Sequence, residues 1–262
     1  MCAMQSRVMH DRFRPEGTAI VTGASSGIGR AIAETFAEDG MDVVICSRDL
    51  ENVEAVAEPL TEAGYSVVPV ECDVRERAEV EALVETTGES FDSVDVLVNN
   101  AGASFVATFE DISPNGWSTI VETNLTGTYH CTHAAAEPHQ DDGGAVLNIT
   151  STAGVLGTPY MTHYAAAKAA VGNLTRSLAA EWAGKGVRVN AIAPGFVATP
   201  GLESQMGISA EDIDRDAVDR EIGTSEEIAD IARFLASPAA SFVNGETVVA
   251  EGVPSVPEGV PS

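Results

Sequence analysis

Lysine is almost absent from this 262-residue sequence, which has only Lys168 and Lys185 beside 12 arginines. Bases are scarce as a class: 14 stand against 40 acids, a net charge of −26. Nucleic acid is excluded as a partner, because phosphate binding requires a basic surface. High net charge repels itself in a compact chain, and molar salt screens that repulsion within about 3 Å. The composition therefore predicts a halophilic source, with an acidic protein from an ordinary environment as the alternative.

Long hydrophobic runs are also missing. No stretch of 18 apolar residues exists, so we expect no transmembrane helix. The first 17 residues lack the apolar centre of a signal peptide. Cysteine is rare, and the four present, Cys2, Cys46, Cys72 and Cys131, show no paired spacing. Three of them lie in apolar segments, which predicts buried free thiols and a cytoplasmic location.

What is present is a regular alternation of short apolar runs with amphipathic segments. The predicted strands are 18–23, 42–47, 66–74, 94–102, 145–151, 187–195 and 246–252. The predicted helices between them include 25–40, 50–64, 113–137, 160–186 and 225–237. Strands rich in Val and Ile, separated by helices, are typical of a parallel sheet covered on both faces. The sequence thus predicts an α/β fold: one Rossmann-type domain over residues 15–251, with a doubly wound parallel β-sheet and helices on both faces.

Three segments depart from this rhythm. Residues 1–14 form an N-terminal extension that fits no motif. Residues 196–222 are polar, carry seven acids, and are predicted to be a flexible substrate loop or lid. Residues 252–262 are rich in proline and predict an extended or disordered tail.

A glycine-rich turn, TGASSGIG at 22–29, joins the first strand to the first helix. Gly23, Gly27 and Gly29 would let the backbone turn tightly and approach a pyrophosphate, which the helix N-terminus attracts. The spacing is G-x-x-x-G-x-G rather than the common G-x-G-x-x-G. The alternative is an ordinary turn between a strand and a helix.

The end of the second strand bears on the choice of cofactor. An acid here would hold a ribose 2′-hydroxyl, whereas an arginine accommodates a 2′-phosphate. The sequence has Ser47 where the acid is expected, and Arg48 follows. NADP(H) is therefore favoured over NAD(H), although Asp49 could pair with Arg48 or reach the ribose itself.

Two further strand ends carry polar groups. Asp73 could accept from an adenine amino group, or it could cap the following helix. The run NNAG, Asn99 to Gly102, could line a cofactor channel or simply form a turn.

The strongest chemical signal is Tyr164 one helical turn before Lys168. A phenol is a poor base at neutral pH, and a nearby ammonium lowers its pKa. Ser151, at the end of the fifth strand, could hold a carbonyl or alcohol oxygen. A packing tyrosine beside a surface lysine is the alternative for this pair alone.

Taken in order, TGASSGIG, NNAG, Asn124 in ETNLTGT, NITS, Tyr164-A-A-A-Lys168 and PGFVAT resemble the short-chain dehydrogenase/reductase family over residues 15–251. The resemblance implies that Tyr164 is the acid/base, Lys168 lowers its pKa and contacts the nicotinamide ribose, Ser151 polarises the substrate oxygen, and Asn124 holds a proton-relay water. It also implies a set of cofactor contacts: Gly23, Ser25, Ser26, Gly27, Ile28, Gly29, Ser47, Arg48, Asp73, Val74, Asn100, Ala101, Gly102, Tyr164, Lys168, Pro194, Gly195, Val197 and Thr199.

The resemblance fails at 200–224, where the usual proline-leucine-glycine-arginine lead is missing, and at the C-terminus. Substrate and assembly are therefore the least defined properties. The histidines near the motifs are predicted to bind no metal and to take no part in catalysis. His130, Cys131 and His133 would not converge on a metal from one helix, and His163 is expected to rim the pocket.

Together these features predict a cytoplasmic NAD(P)(H)-dependent oxidoreductase that binds neither nucleic acid nor membrane. Its substrate would be a small carbonyl or alcohol: a sugar or polyol, a 3-oxoacyl thioester, or a small ketone. The low aromatic content, 5%, disfavours a steroid. The resemblance implies a homo-oligomer, a tetramer or dimer. The alternative function is a non-catalytic NAD(P)-binding sensor on the same fold.

Overall fold

Seven parallel strands form the central sheet of the protein. The structure, a computed structural model, describes residues 12–136 and 143–254. In spatial order the sheet runs β3-β2-β1-β4-β5-β6-β9. The strands are β1 (Thr18–Thr22), β2 (Asp42–Ser47), β3 (Val67–Glu71), β4 (Val96–Asn99), β5 (Gly144–Ile149), β6 (Val187–Pro194) and β9 (Thr247–Ala250). The predicted α/β class, single domain and parallel sheet are confirmed.

Helices cover both faces of this sheet. One face carries α1 (Gly27–Glu38), α2 (Leu50–Glu62) and α9 (Ser225–Ala236). The other carries α3 (Arg77–Phe91), α5 (Gly127–Ala135) and α7 (Thr162–Trp182). The remaining helices are α4 (Pro114–Val121), α6 (Thr152–Leu156) and α8 (Pro200–Met206). No helix within the described residues is long and apolar enough to cross a membrane.

Alternate residues of each strand pack into the two cores. In β1, Val21 faces α1 and α9, whereas its neighbour Ile20 faces the helices of the opposite side. In β2, Ile45 and Val44 divide in the same way. Complete burial of one such side chain stabilises the fold by about 1.5–3 kcal/mol. The continuous Val/Ile runs therefore reflect strands that are covered on both faces.

The predicted helix 113–137 is interrupted. It is α4, a π-helical turn over Glu122–Thr126, and α5; residue 137 lies outside the described part. A π turn inserts one extra residue into the helical ladder and often marks a functional site. Here the turn contains Asn124, which is completely buried.

The segment 196–222, predicted to be a flexible loop or lid, contains regular structure. Its ends form a small parallel ladder between β7 (Phe196–Ala198) and β8 (Ile222–Thr224), and α8 lies between them. Arg220 makes an ion pair with Glu227 of α9. The amide of Val253 donates to the Arg220 carbonyl at 3.2 Å. The ends of the segment, where β7 and β8 pair, are therefore bonded to the rest of the domain.

Part of each terminal segment can also be placed. Phe13 stacks on Phe234 of α9, with ring centroids 6.1 Å apart. The Ala239 amide donates to the Arg12 carbonyl at 2.9 Å. These contacts dock the end of the N-terminal extension onto α9. Residues 1–11 and 255–262, which hold the rest of the extension and most of the Pro-rich tail, lie outside the described residues.

Candidate active site

The strand order reverses between β1 and β4, and the predicted site residues gather at the carboxyl ends of the strands on either side. In doubly wound sheets the crevice at such a switch point binds the ligand. The glycine-rich turn follows β1, NNAG ends β4, and Ser151 follows β5. The topology thus brings together groups that lie far apart in the sequence.

The glycine-rich turn interlocks with NNAG. Gly23 has a φ of +64°, and a Cβ there would lie 2.8 Å from the Ala101 Cα. A Cβ on Gly29 would lie 2.4 Å from the Asn100 amide nitrogen. That amide donates to the carbonyls of Thr22 and Gly23, both at 2.9 Å. Only glycine fits at these two positions, so the turn is held in one shape.

The N-terminus of α1 is open to an anion. Its N-cap, Ser26, makes no side-chain capping hydrogen bond. Gly27 has a φ of +55°, and a Cβ there would lie 3.0 Å from the Thr199 methyl group. Unpaired N–H groups and the helix dipole favour a phosphate at such an end. This cradle fits the pyrophosphate of a dinucleotide, with the 194–199 segment beside it.

The 194–199 segment is fixed from the opposite edge of the sheet. Pro194 ends β6, and the Gly195 amide donates to the Ala250 carbonyl at 2.9 Å. Val197 is buried in β7, and the Thr199 hydroxyl accepts from the Leu202 amide at the start of α8. The structure therefore brings these predicted cofactor-contact residues to the crevice.

At the far end of the crevice, Ser47 ends β2 and Arg48 follows it. The Ser47 hydroxyl donates to the Asp49 carbonyl at 2.8 Å. Arg48 is exposed and makes no ion pair with any residue that the structure describes. The predicted alternative in which Asp49 pairs with Arg48 is therefore wrong. Asp49 occupies the N-cap position of α2.

Asp73 is held by a residue that the sequence did not single out. Its carboxylate accepts from the Arg75 backbone and side chain, with Nε 3.0 Å from each oxygen. The Arg75 guanidinium holds the pKa of this carboxyl below its usual range, against the effect of burial. The helix-cap alternative is wrong, since α3 begins at Arg77 with Glu76 as its N-cap. Val74, next to Asp73, is buried and packs against Gly127.

Lys168 is a buried cation. Only 5% of the residue is exposed, and its Nζ donates to the Ile149 carbonyl at 2.8 Å. The same atom lies 5.6 Å from the centre of the Tyr164 ring. Burial lowers the pKa of the ammonium to about 8. The surface-lysine alternative is therefore wrong.

Tyr164 differs from the prediction in its pKa. Burial raises the pKa of the phenol above 10, and the Ser151 hydroxyl opposes this rise. The predicted lowering of this pKa is therefore wrong, because the loss of water around the phenol raises it. The phenol is protonated at neutral pH and can donate a proton.

Ser151 is oriented by the short helix that follows it. It occupies the N-cap position of α6, and its hydroxyl oxygen accepts from the Ala153 amide at 3.1 Å. Gly154 lets α6 approach α7, because a Cβ there would lie 2.7 Å from the Lys168 carbonyl carbon. This close packing sets the Ser151 hydroxyl against Tyr164.

Asn124 and Lys168 flank the same small space beside Gly102. A Cβ on Gly102 would lie 2.8 Å from the Asn124 Oδ1 and 3.5 Å from the Lys168 Nζ. The Asn124 amide nitrogen donates to the carbonyls of Ala103 and Ile120, at 2.8 and 2.9 Å. Its Oδ1 is buried and accepts no hydrogen bond from the described residues. A buried acceptor of this kind can take a hydrogen bond from a small donor such as a water molecule.

A buried chain of amides and hydroxyls supports these strand ends, and the sequence did not point to it. The Asn99 amide donates to Asn148 and to Thr132, each at 2.9 Å. The Asn148 amide donates in turn to the Thr175 hydroxyl of α7 at 2.9 Å. The chain ties β4 and β5 to the helix that carries Tyr164 and Lys168. Buried polar pairs of this kind fix a single arrangement.

His163 does not rim the pocket as predicted. It is completely buried, and its ring stacks edge-on against Phe105 at a centroid distance of 4.2 Å. Its burial lowers its pKa, which favours a neutral ring. His163 therefore packs the loop after NNAG onto α7.

A group of exposed apolar side chains, the apolar rim, lies on segments that adjoin Ser151 and Tyr164. Tyr160 has a left-handed φ of +65°, unusual for a residue with a side chain, and its carbonyl accepts from the Ala107 amide at 2.9 Å. This bond joins the segment after NNAG to the loop before α7. The large exposed side chains on the segment after NNAG, on α6 and on the loop before α7 are Phe105, Val106, Phe109, Val155, Leu156 and Tyr160.

A cavity of about 360 Å³ opens beside Ser151 and Lys168. Its other lining residues include Gly172, Asn173 and Arg176 of α7 and Thr247 of β9, and Tyr164 is not among them. The predicted buried thiols Cys46, Cys72 and Cys131 are free; Cys2 lies outside the described residues. The described residues contain no group of side chains arranged to hold a metal ion.

Comparison with known proteins agrees with this geometry. A family model described as enoyl-(acyl carrier protein) reductase matches residues 23–252. A 3-oxoacyl-[acyl-carrier-protein] reductase from Synechocystis sp. is 38% identical over 237 residues, covering 89% of this chain and 95% of the relative.

Two crystal structures are also similar. A short-chain type dehydrogenase/reductase from Mycobacterium marinum superposes with a TM-score of 0.84 at 30% identity, covering 93% of this chain and 97% of that one. A 7α-hydroxysteroid dehydrogenase, complexed with NADH and 7-oxo glycochenodeoxycholic acid, gives 0.84 at 33% identity, covering 93% and 96%. The chain therefore belongs to the short-chain dehydrogenase/reductase family and is an NAD(P)-dependent oxidoreductase that interconverts carbonyls and alcohols.

Proposed function

We propose that this enzyme reduces a carbonyl to a secondary alcohol with NADPH, using Tyr164 as the proton donor. The observation that carries the proposal is the buried Lys168 ammonium one turn from Tyr164, with Ser151 beside the phenol. The dinucleotide, when bound, supplies the hydride. The side chains of the protein donate the proton and position the substrate.

Tyr164 gives its proton to the carbonyl oxygen as the alcohol forms. Burial raises the pKa of its phenol, so Tyr164 is protonated at neutral pH and can act as the donor. Ser151 donates to the same oxygen and positions it. Its own oxygen accepts from the Ala153 amide, which holds the hydroxyl beside the Tyr164 phenol.

Lys168 and Asn124 act behind the phenol. The ammonium of Lys168 stabilises the phenolate that remains after proton transfer, because opposite charges attract strongly where water is excluded. The unpaired Oδ1 of Asn124, beside the same space, can hold a water that returns the proton. Because Lys168 has a pKa of about 8, it is largely charged at neutral pH.

The cofactor is held at both ends of the crevice. The cradle of Gly23, Gly27 and Gly29 takes the pyrophosphate, and residues 194–199 lie beside it near the nicotinamide end. The unpaired guanidinium of Arg48 supports the preference for NADP(H), since it is free to bind a 2′-phosphate in two-pronged geometry. No carboxylate competes at position 47.

The exposed apolar rim favours one substrate class. Six large apolar side chains near Ser151 and Tyr164 are exposed, so the group attached to the carbonyl is expected to be apolar rather than a sugar. A 3-oxoacyl thioester or a hydrophobic ketone fits this surface better than a polyol. The acyl-carrier-protein reductase among the relatives supports the first of these.

A panel of 3-oxoacyl thioesters, ketones and sugars tests the function. Each compound is mixed with enzyme and either NADPH or NADH in molar KCl, and the absorbance of the reduced nicotinamide is followed. We expect oxidation of NADPH with apolar carbonyl compounds. Binding of NADPH without turnover of any compound would favour the sensor instead. The four proton-transfer residues, which a sensor does not need, argue against it.

Assembly and environment complete the proposal. We infer a homo-oligomer, a tetramer or dimer, from family membership, and a cytoplasmic location, which the free thiols support. We infer a salt-rich environment from the charge of −26. Urea unfolding at about 0.1 and 2 M KCl tests the last point. Stability should rise with salt, and equal midpoints would contradict a halophilic source.

A further inference from the structure

We propose that Arg75 is a positioning residue for cofactor choice: by neutralising Asp73 it leaves Arg48 free to bind the 2′-phosphate. The inference rests on the NADP(H) preference proposed above. It starts from the cations of this acidic chain. Seven described arginines make ion pairs with acids, whereas Arg48 makes none.

Arg48 and Asp73 are neighbours across the sheet. Ser47 pairs with Glu71 in the ladder between β2 and β3, and the Cys72 amide donates to the Ser47 carbonyl at 2.8 Å. Arg48 and Asp73 each follow directly after these bonded residues. The charge of Arg48 also helps to lower the pKa of Asp73. A carboxylate in this place therefore competes with a phosphate for Arg48.

Arg75 removes this competition because it pairs with Asp73. Its Nε lies 3.0 Å from both oxygens of Asp73, its terminal nitrogen is 2.5 Å from Oδ2, and its backbone amide donates to Oδ1 at 3.0 Å. Both carboxylate oxygens are thus engaged and the charge is compensated. Without Arg75, the Asp73 carboxylate would attract Arg48, with which it already interacts electrostatically, and would repel a doubly charged phosphate.

The test is the ratio of two dissociation constants, for NADPH and NADH, from nicotinamide fluorescence titrations at fixed KCl. Any loss at the adenine, which both dinucleotides share, cancels in this ratio. Arg75→Ala should weaken NADPH binding about tenfold while NADH binding changes less than about twofold. The matched control is Arg77→Ala, which removes an exposed arginine paired with Glu81 and should leave the ratio unchanged.

The double variant Asp73→Asn/Arg75→Ala identifies the cause. With no carboxylate to capture Arg48, the ratio should return to within about threefold of the wild-type value. An unchanged ratio in Arg75→Ala, or no recovery in the double variant, would overturn the proposal. If Arg48→Ala itself weakens both dinucleotides equally, the NADP(H) preference fails first. If Arg48→Ala is selective and Arg75→Ala is not, only the present inference fails.

Discussion

The two halves of the crevice are built differently. In the cofactor half, glycines without room for a Cβ and the Asn100 amide lock the turn after β1 to the end of β4. In the substrate half, two loops meet through the backbone bond between Ala107 and Tyr160 and the stack of Phe105 on His163, and their large apolar side chains are exposed.

We infer from this difference that one half of the crevice determines the reaction and the other half determines which substrate is bound. The cofactor half and the Tyr164–Lys168 pair are closely packed and, as proposed above, carry the reaction. The substrate half exposes large apolar side chains, whereas the glycines of the cofactor half are closely packed. Changes in the first half should therefore affect rate and cofactor affinity, and changes in the second should affect substrate affinity.

The largest effect is expected at Lys168. Lys168→Met keeps the length and packing of the side chain but removes the charge that stabilises the phenolate, so turnover should fall about 10³-fold. Steady-state kinetics with the best substrate of the panel measure it. Lys185→Met, which changes the only other lysine, is the control and should retain wild-type activity. A Lys168→Met enzyme at more than a tenth of the normal rate would remove Lys168 from the mechanism.

The next effect concerns Arg48. Arg48→Ala removes the free guanidinium, and NADPH affinity should fall about 10- to 100-fold, while NADH affinity changes less than about twofold. Fluorescence titration provides both constants. Arg30→Ala is the matched control, since Arg30 is an exposed arginine of α1 that pairs with Glu34. Equal losses for the two dinucleotides would refute the cofactor preference.

A smaller effect is expected in the substrate half. Phe105→Ala removes an aromatic ring from the entrance and from its stack on His163, so KM should rise about five- to tenfold with little change in kcat. Phe242→Ala, which removes a fully exposed ring elsewhere, should change neither constant. If Phe105→Ala lowered kcat as strongly as Lys168→Met, the separation between the two halves would be false.

The smallest effect is a pH dependence of stability. The folded pKa of Lys168 is about 8, below its ordinary value of 10.5, so the unfolded chain binds more protons between these values. Stability from this group therefore rises with pH in that window, by about 1.5 kcal/mol from pH 8 to 9.5. Urea unfolding of wild type and Lys168→Met at both pH values isolates it. No difference between their pH slopes would mean that Lys168 is not buried as described.

Much of the fold and catalytic centre could be predicted because the signals are local. Valine and isoleucine runs mark buried strands, and the spacing of Tyr164 and Lys168 places both on one face of α7. The glycine-rich turn can likewise be identified from a few adjacent residues. Each of these depends on neighbours in the sequence, which a single chain displays.

The remainder depended on contacts between distant residues. The ladder of β7 with β8 joins two three-residue strands across a polar segment that has no strand pattern of its own. The raised pKa of Tyr164 comes from burial by the whole fold, which no local spacing reveals. The pairing of Asp73 with Arg75 is likewise a side-chain contact that the sequence did not indicate. Contacts between residues that are not neighbours in a regular pattern were what the sequence could not supply.

The most direct test of the central claim is Tyr164→Phe, which removes one oxygen and with it the proposed proton donor. The variant and wild type are compared for turnover of the best substrate and for NADPH affinity, in the same molar KCl. We predict that turnover falls about 10³-fold or more, while the NADPH dissociation constant stays within about threefold. A variant that keeps more than a tenth of wild-type turnover would contradict the assignment of Tyr164 as the proton donor.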